Sequence, residues 1–339
     1  MSGGRRLLMG SLAAIGLAAL LASVWPGAVP PAPAPAEAII ADIASAPPPR
    51  PPVPVETVAV AHVQVAPAAE TAPPPAPEPV VPPPAAALPP PVIPAWRRFA
   101  VPAPPADGRP TIAFMFDDMG LNRVQSDRVV AFSGPLTLSW MSYAPAVTEQ
   151  AAMGAAHGHE IMLHMPMEPL GHTNPGPGAL RTWLPPETNL VSLRAALDSL
   201  PNAVGLNQHE GSVASLSVPL MDLVMGELKA RGLFFVDSLT IQHSVALARA
   251  RAIGIPAVPR DVFLDNSPDP AAIRAQIAET EAIARRYGHA IAIGHPRLST
   301  VDVMAQYLAT LESRGFVLWP VSAVVAVENR IQMVGEPTK

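Results

Sequence analysis

The prolines of this 339-residue chain are unevenly distributed, because more than half of the 45 precede Thr111. Residues 26–109 are rich in Pro and Ala and have few large apolar side chains. Such a segment cannot bury enough surface to offset the entropy of ordering it. We therefore predict a Pro/Ala-rich disordered linker over 26–109, with polyproline II character. Ordinary globular patterning then predicts one folded domain over 110–328 and a C-terminal tail over 329–339.

The first 25 residues have the pattern of a segment that enters a membrane. Arg5 and Arg6 precede an uncharged apolar run, Leu7–Trp25, which is close to the ~20 residues that span a bilayer as a helix. Arginines in front of such a run stay on the cytoplasmic side. The pattern predicts a signal anchor or a cleaved signal peptide. We therefore expect the domain on the periplasmic side of the cell envelope, anchored to the inner membrane or secreted.

Composition excludes nucleic-acid binding and any site built from cysteine. A net charge of −5 and a pI near 6.0 leave no basic field for nucleic acid, which requires clustered Lys and Arg. The chain has no cysteine, so it forms neither disulfides nor thiolate metal sites. Any metal would have to be held by histidines and carboxylates.

From Thr111 onward, short apolar runs typical of buried strands alternate with longer segments of helical spacing. The predicted strands are Ile112–Phe116, Leu136–Trp140, Glu160–His164, Phe234–Asp237, Ala290–Gly294 and Phe316–Val321. The predicted helices are Val191–Leu200, Val218–Arg231, Ala271–Tyr287 and Val301–Arg314. This alternation predicts an α/β fold with a parallel sheet. About seven such units predict a distorted barrel of the (β/α)7 type, with an open doubly wound sheet as the alternative.

Unusual polar residues collect where the predicted strands end, whereas random placement would scatter them. In parallel α/β folds the carboxyl ends of the strands form the edge that carries the chemistry. The residues at this edge are Asp117, Asp118, His164, Glu168, Asn207, His209, Asp237, Arg260, Asp261 and His295.

Asp117 and Asp118 directly follow five apolar residues of the first predicted strand. Adjacent carboxylates at a strand end point to different sides, so one can bind a metal while its neighbour acts as a base. The structural alternative is a solvated turn or a helix N-cap. The apolar strand before the pair favours a functional role. So does the segment after the pair, which contains Gly120 and does not begin an amphipathic helix.

Histidines at three strand ends add nitrogen ligands to the aspartate pair. His164, His209 and His295 predict a centre of oxygen and nitrogen ligands at ~2.0–2.2 Å, for which zinc is the favoured ion. Such a cation polarises a carbonyl and brings the pKa of water toward ~7. The other histidines are expected in the linker or on the surface: His62, His157, His159, His172, His243 and His289.

Residues 110–326 resemble the NodB-type polysaccharide deacetylases, a carbohydrate esterase family, and more closely their divergent branch. In the main family a strand that ends in two aspartates supplies a base and a metal ligand. The resemblance implies these roles for Asp117 and Asp118. It also implies that His295, in Gly-His-Pro after a late strand, is a general acid.

The metal-binding motif of that family departs from its usual form here. A Gly-His-Glu lead-in at 158–160 is followed by His164, but the family's second histidine position holds Glu168. The arginine-proline-tyrosine segment of the family is absent, and Asn207–Ser212 lies near its place. The divergent branch instead looks like this chain in its motifs His-x-Pro-x-Glu-Pro, Asn-x-His-x-Gly-Ser, Val-Asp-Ser, Arg-Asp-Val-Phe-Leu-Asp-Asn and Gly-His-Pro.

We therefore expect a metal-dependent hydrolase that removes acetyl groups from an envelope polysaccharide or a peptidoglycan-type glycan. The expected ligands of a divalent metal, with zinc favoured, are Asp118, His164, His209 and, as a fourth or substitute ligand, Glu168. The expected catalytic residues are Asp117 to activate water, His295 to protonate the leaving group, and Asp237 with Arg260 to orient that group or stabilise developing charge.

Two other functions fit the same residues. The altered second histidine position is also compatible with a glycan-binding or scaffold protein that kept the fold and lost turnover. Hydrolysis of a phosphoester is a further alternative, for which Arg260 is available but no phosphate-binding glycine loop is present. The expected partners are thus a glycan and, through the N-terminal segment, the membrane.

Overall fold

The computed structural model describes residues 93–331. The predicted membrane segment Leu7–Trp25 lies outside the described residues, as do most of the predicted linker and the last eight residues of the predicted tail. Within the described range, no helix is long and apolar enough to cross a membrane.

The predicted linker ends earlier than the sequence suggests. Ala95–Phe99 forms a short helix, α1, and the backbone N–H of Trp96 donates to Gly232 O at 2.9 Å. The Trp96 ring is buried edge-on against Phe234, with ring centroids 6.1 Å apart. The prediction of disorder to residue 109 is wrong for this last part, because one large aromatic side chain is enough to dock it onto the domain.

Within residues 93–331, nine parallel strands form one sheet. They are β1 Thr111–Met119, β2 Thr137–Met141, β3 Glu160–Met167, β4 Gly205–Glu210, β5 Phe234–Asp237, β6 Ala257–Pro259, β7 Val262–Phe263, β8 His289–Gly294 and β9 Val317–Leu318. Eight of them follow the order β6-β5-β4-β3-β2-β1-β8-β7, and β9 pairs with the start of β1.

The sheet is curled, because its two outermost strands are consecutive in the chain. Only Arg260 and Asp261 separate β6, which pairs with β5, from β7, which pairs with β8. The N–H of Arg260 donates to Asp237 O, and that of Asp261 donates to Ile291 O. The predicted parallel α/β class is thereby confirmed in the form of a curled half-barrel.

The remaining helices connect the strands. They are α2 Arg123–Val130, α3 Val147–Ala156, α4 Pro186–Asp198, α5 Val218–Arg231, α6 Ala246–Ile253, α7 Pro270–Tyr287, α8 Leu298–Leu308 and α9 Val321–Glu328. Helix α5 has the predicted bounds, since Ser217 caps its start and Gly232 ends it in the left-handed conformation. The shorter helices α2, α3 and α6 were not predicted, because two turns leave too few apolar repeats to detect.

The last predicted strand is wrong beyond its first residues. Phe316–Val321 was expected to be a strand, but β9 has two residues and Val321 begins α9. Pro320 lacks the N–H that a continuing strand would donate. Although valine favours strands, six of the eight α9 residues are buried, where several pack with inward-facing residues such as Met115 and Ile293. Tertiary burial therefore overrides propensity here.

Candidate metal and acid–base site

Strand β1 ends in a β-bulge that re-aims both aspartates. Pairing with β2 shifts register between Phe116 and Met119, and Asp118 takes a left-handed conformation with φ 56°. As a result, Asp117 Oδ2 and Asp118 Oδ1 lie 3.6 and 3.4 Å from the same atom, His164 Nε2. The prediction that the two carboxylates point to different sides is wrong, because a bulge breaks the alternation of the pleat. The expectation that no helix follows the pair is also wrong, because α2 begins three residues beyond Gly120.

Two adjacent strands of the sheet, β3 and β4, bring histidines to this bulge. Strand β3 continues through Pro166, so its ladder places His164 opposite Asn207 and Pro166 opposite His209. Residues two apart on a strand share a face, and His209 therefore reaches the same side of the sheet as Asn207. Its Nδ1 lies 3.3 Å from His164 Nε2 and 3.0 Å from Asp118 Oδ1.

Asp118, His164 and His209 thus offer three ligand atoms that lie within 4.8 Å of one another. Four ligands at ~2.0–2.1 Å from a tetrahedral ion are themselves roughly 3.3 Å apart, which matches the separations of 3.0, 3.3 and 3.4 Å. Asp118 Oδ1 is buried and faces the two imidazole nitrogens, but within the described part of the chain it accepts no hydrogen bond of regular geometry. A cation would supply a partner for that oxygen, so the three residues fit a divalent metal.

Asn207 fixes the orientation of the side chains around it. Its Oδ1 lies 3.0 Å from His164 Nδ1 and can only accept, so that nitrogen carries the proton and Nε2 keeps a lone pair. Its Nδ2 donates to both oxygens of Asp117, at 3.0 and 2.9 Å. Ser139 and Ser238 complete the partners of this fully buried amide.

The electrostatics separate the two carboxylates. Burial raises the pKa of Asp117, against the opposing charges of His164 and His295. Burial would also raise the pKa of Asp118, but the imidazoles of His164 and His209 lower it well below its usual range. Burial lowers the pKa of His164, yet Asp117 and Asp118 leave it raised overall. The pKa of Asp118 is therefore lowered and that of Asp117 raised, which makes Asp117 the more basic carboxylate of the pair.

His295 belongs to a second pair at the same edge. Its Nδ1 lies 2.8 Å from Asp265 Oδ1, and its backbone N–H donates to Asp265 Oδ2 at 2.9 Å. Thr300 Oγ1 also donates to that oxygen at 2.8 Å. Because the fully buried Asp265 holds Nδ1, the other ring nitrogen, Nε2, is the one available to a reacting group.

One predicted metal ligand, Glu168, lies apart from the other three. Glu168 Oε2 accepts from the backbone N–H and the hydroxyl of Thr182, each at 2.6 Å, and the residue is not part of the three-ligand group. Its position one residue beyond β3 places it in the next loop.

Asp237 and Arg260 stabilise the loop after β5. Asp237 accepts from Gln208 Nε2 at 2.5 Å and from Ser244 Oγ at 2.8 Å, on the face of β4 opposite to that of His209. Arg260 donates to the backbone carbonyl oxygens of Ser238 and Leu239. The predicted role in orienting a leaving group therefore finds no support in these contacts.

One histidine expected on the surface is buried. His159 Nδ1 accepts from the Leu136 N–H at 3.3 Å, and Nε2 lies 2.9 Å from Val130 O, so Nε2 carries the proton. Burial lowers its pKa. Of the other histidines assigned to the linker or the surface, His62 lies outside the described residues, His289 is half-buried beside Glu328, and the exposed ones are His157, His172 and His243.

Sequence patterns pointed to Asn207 and Asp265 but did not reveal that they orient His164 and His295. Asn207 shares its strand face with His209, two residues later, and that spacing marks it as a neighbour of the site. Asp265 follows a short strand that runs parallel to the one before His295. In both cases the residue types were visible, but which strands are adjacent was not.

Comparison with known proteins agrees with the resemblance seen in the sequence. The family described as divergent polysaccharide deacetylase matches residues 114–325. The chain is 34% identical over 200 residues to Uncharacterized protein YibQ of Escherichia coli (strain K12), a match that covers 59% of this chain and 63% of that one. An uncharacterized Haemophilus influenzae protein is 31% identical over 200 residues, covering 59% of this chain and 71% of its own length.

A solved structure also matches. The crystal structure of uncharacterized protein ATU2773 from Agrobacterium tumefaciens C58 has a TM-score of 0.66 and 27% sequence identity. The match covers 68% of this chain and 95% of that one.

Proposed function

Because the chain belongs to the divergent polysaccharide deacetylase family, we propose that it is a metal-dependent hydrolase that removes acetyl groups from a glycan of the cell envelope. The observation that carries this proposal is the convergence of Asp118, His164 and His209 beside a second buried carboxylate, Asp117. A three-residue ligand set leaves coordination positions open, as catalytic zinc sites do.

Asp118 Oδ1, His164 Nε2 and His209 Nδ1 would hold the ion, for which zinc is the proposed identity. One carboxylate and two imidazoles are a ligand set that zinc favours. When bound, such an ion supplies Lewis-acid polarisation of an acyl carbonyl. Asn207 holds His164 in the tautomer that presents Nε2, a support on which metal affinity commonly depends.

Asp117 acts as the general base in this proposal. It is 2% exposed, and burial raises its pKa, which makes its carboxylate a stronger proton acceptor than an ordinary aspartate. Asn207 Nδ2 holds both carboxylate oxygens and so fixes the direction in which a proton is taken. Asp117 is thus placed to remove a proton from water that attacks the acetyl carbon.

His295 acts as the general acid. Asp265 binds Nδ1 and fixes the ring, so Nε2 can deliver a proton to the departing amine or alkoxide oxygen of the sugar. Phe116 pairs with Gly294 in the ladder between β1 and β8, so Asp117 and His295 follow at the same edge of adjacent strands, and the charge of His295 opposes the rise in the pKa of Asp117. A base and an acid at that edge give the acid–base arrangement that acyl transfer needs.

The proposed location outside the inner membrane depends on Leu7–Trp25 and on the Pro-rich linker, which lie outside the described residues. A linker of polyproline II character rises ~3.1 Å per residue. It would let a tethered domain reach glycan well away from the membrane.

The direct test is acetate release from N-acetylated and O-acetylated glycans by the full chain loaded with zinc. We expect release by the wild type and a loss of at least about 100-fold in kcat for Asp117→Asn, within the range for a general base. Glu160→Gln, which changes a buried carboxyl group at the other end of the sheet, is the matched control. If the zinc-loaded wild type binds glycan but releases no acetate, the function is glycan binding instead.

A further inference from the structure

The loop between β3 and α4, residues 168–185, presents an exposed tryptophan at the same edge of the sheet as the metal ligands. Trp183 is 65% exposed. The other tryptophans in the described range are accounted for by packing or hydrogen bonding: Trp96 and Trp140 are buried, and the Trp319 indole donates to Pro104 O. An exposed indole that is not packed into the core is typical of a binding surface.

The loop is fixed at its base by Glu168. The Glu168 carboxylate accepts two hydrogen bonds from Thr182, which directly precedes Trp183, and its N–H donates to Leu180 O at 2.8 Å. Glu168 lies four residues beyond His164 along extended backbone, so its Cα is roughly 13 Å from that of His164 at ~3.3 Å per residue. The residue that departs from the usual metal-binding motif is therefore a positioning residue for the segment that carries Trp183.

The loop is also held at its far end. Gly176 has φ 102°, and a Cβ built there would lie 2.6 Å from the Tyr143 ring, so this close approach requires glycine. Tyr143 lies two residues beyond Met141, which pairs with His164 in the ladder between β2 and β3. The loop therefore runs from the end of β3 to a residue at the carboxyl end of β2, along the same edge as the metal ligands.

A cation accompanies the exposed indole. Arg181 Cζ lies 5.7 Å from the centre of the Trp183 ring, and Arg181 forms no ion pair with any residue in the range 93–331. An aromatic face packs against the apolar face of a sugar ring, and a guanidinium binds a carboxylate in a bidentate manner. Together they fit a sugar that carries a carboxylate.

We propose that Trp183 and Arg181 form a subsite that binds a carboxylate-bearing sugar of the glycan chain, away from the sugar that loses its acetyl group. The identity of the ligand rests on the proposed function. The subsite itself does not require turnover, because binding needs only the loop and its anchors. It selects an acidic glycan such as a peptidoglycan strand over a neutral one.

The test compares Trp183→Ala with a matched control on the full chain. Tyr287 is 63% exposed and stacks with Arg286 at 5.1 Å, but it ends α7 at the opposite end of the sheet. We expect Trp183→Ala to weaken binding of soluble peptidoglycan strands and of chitohexaose about tenfold, or ~1.4 kcal/mol. Tyr287→Ala should bind both as the wild type does, and Trp183→Phe should restore most of the affinity.

Charge selectivity is tested with Arg181→Gln and the same two glycans. Binding of the carboxylate-bearing peptidoglycan strand should weaken about tenfold, while binding of neutral chitohexaose should change less than twofold. Glu168→Ala should weaken both through the loop and should retain zinc. Loss of zinc from Glu168→Ala would instead make Glu168 a ligand and overturn its positioning role.

The outcomes separate this subsite from the proposed function. If Asp117→Asn protein binds peptidoglycan through Trp183 but wild type releases no acetate, the subsite stands and deacetylation fails. If acetate is released and Trp183→Ala matches Tyr287→Ala in KM and affinity, deacetylation stands and the subsite is overturned. Absence of any glycan binding by the wild type also overturns it.

Discussion

Strand β3 carries two buried ionisable side chains, one at its start and one in its second half, and their polar partners differ. Glu160 begins the strand, and its Oε2 accepts from Thr137 Oγ1 and from the Ser322 N–H in the first turn of α9, both at 3.0 Å. His164, four residues later, presents Nε2 to two carboxylates and to a second imidazole. Both side chains are almost fully buried.

The pKa values of Glu160 at one end of the sheet and of Asp118 at the other shift in opposite directions. Burial raises the pKa of Glu160 even though Ser322 and Thr137 donate to it. At the other end, His164 and His209 overcome burial and lower the pKa of Asp118. Burial of a charge alone therefore does not mark a functional site. What marks this one is that three lone-pair atoms converge without donors between them, an arrangement that a cation stabilises.

The largest difference between the two ends is expected when the Asp118 carboxylate is removed. We expect Asp118→Asn to lower zinc affinity by more than about 100-fold, beyond the loss seen when outer partners of ligands are changed. Glu160→Gln should keep stoichiometric zinc, because its carboxyl group has no access to the site. Isothermal titration of both variants with zinc measures the difference, and equal affinities would contradict the assignment of the two ends.

A change in the Asp265–His295 pair should lower the rate of the reaction without lowering the affinity for zinc. Asp265→Asn leaves a side chain of the same shape but presents the wrong partner to Nδ1, so kcat should fall by ~10²-fold or more. Zinc affinity should stay within a factor of about two, because neither residue is in the ligand group. The alkaline limb of the pH–rate profile, which reports loss of the proton of the general acid, should also move, and a purely structural residue would not cause that.

Asn207 and Gln208 are neighbours on β4 and lie on opposite faces of that strand, so their substitution should have different effects. Asn207→Ala should lower zinc affinity about 10–100-fold, since it frees His164 and Asp117. Gln208→Ala should destabilise the fold through the lost contact with Asp237 and leave zinc affinity unchanged. Parallel zinc titrations and thermal melts check this pair, and a loss of zinc affinity with Gln208→Ala would refute the assignment of faces.

The sequence predicted the fold class and the edge that carries the site because both depend on local patterns. Apolar runs that end in Asp117-Asp118, His164 and His295 reveal strands and their carboxyl ends. The β-bulge at Asp118 was not predictable, because a bulge depends on how two strands pair. The role of Asn207 was missed for the same reason.

Glu168 shows the limit of carrying a motif position over to this chain. The sequence placed it in the metal shell by spacing, but the strand continues through Pro166 and carries Glu168 beyond the ligands. Its carboxylate then meets Thr182, fourteen residues later in the chain. A contact of that kind depends on the path of a long loop, which no local pattern encodes.

The smallest expected effect concerns the pH dependence of stability at the start of β3. Burial lowers the pKa of His159 from its ordinary value of 6.5, so below pH 6.5 the unfolded chain binds more protons than the folded one. Stability from this residue is present above pH 6.5 and falls with pH until the folded pKa is reached, by up to ~1.4 kcal/mol per pH unit.

His159→Gln isolates that contribution, since glutamine can donate to Val130 O without titrating. Urea unfolding between pH 7.5 and 5 should show wild type losing stability relative to His159→Gln. His157→Gln, at an exposed neighbour, should follow the wild type. A difference between wild type and His159→Gln that stays constant with pH would contradict the buried, neutral state of His159.

Asp118, His164 and His209 together offer a metal site at the carboxyl edge of the sheet. Anomalous diffraction at the zinc edge, from crystals of the zinc-loaded protein, would locate the ion. We expect one strong peak at ~2.0–2.2 Å from Asp118 Oδ1, His164 Nε2 and His209 Nδ1. A peak bound by Glu168, or no peak between these three residues at saturating zinc, would contradict this expectation.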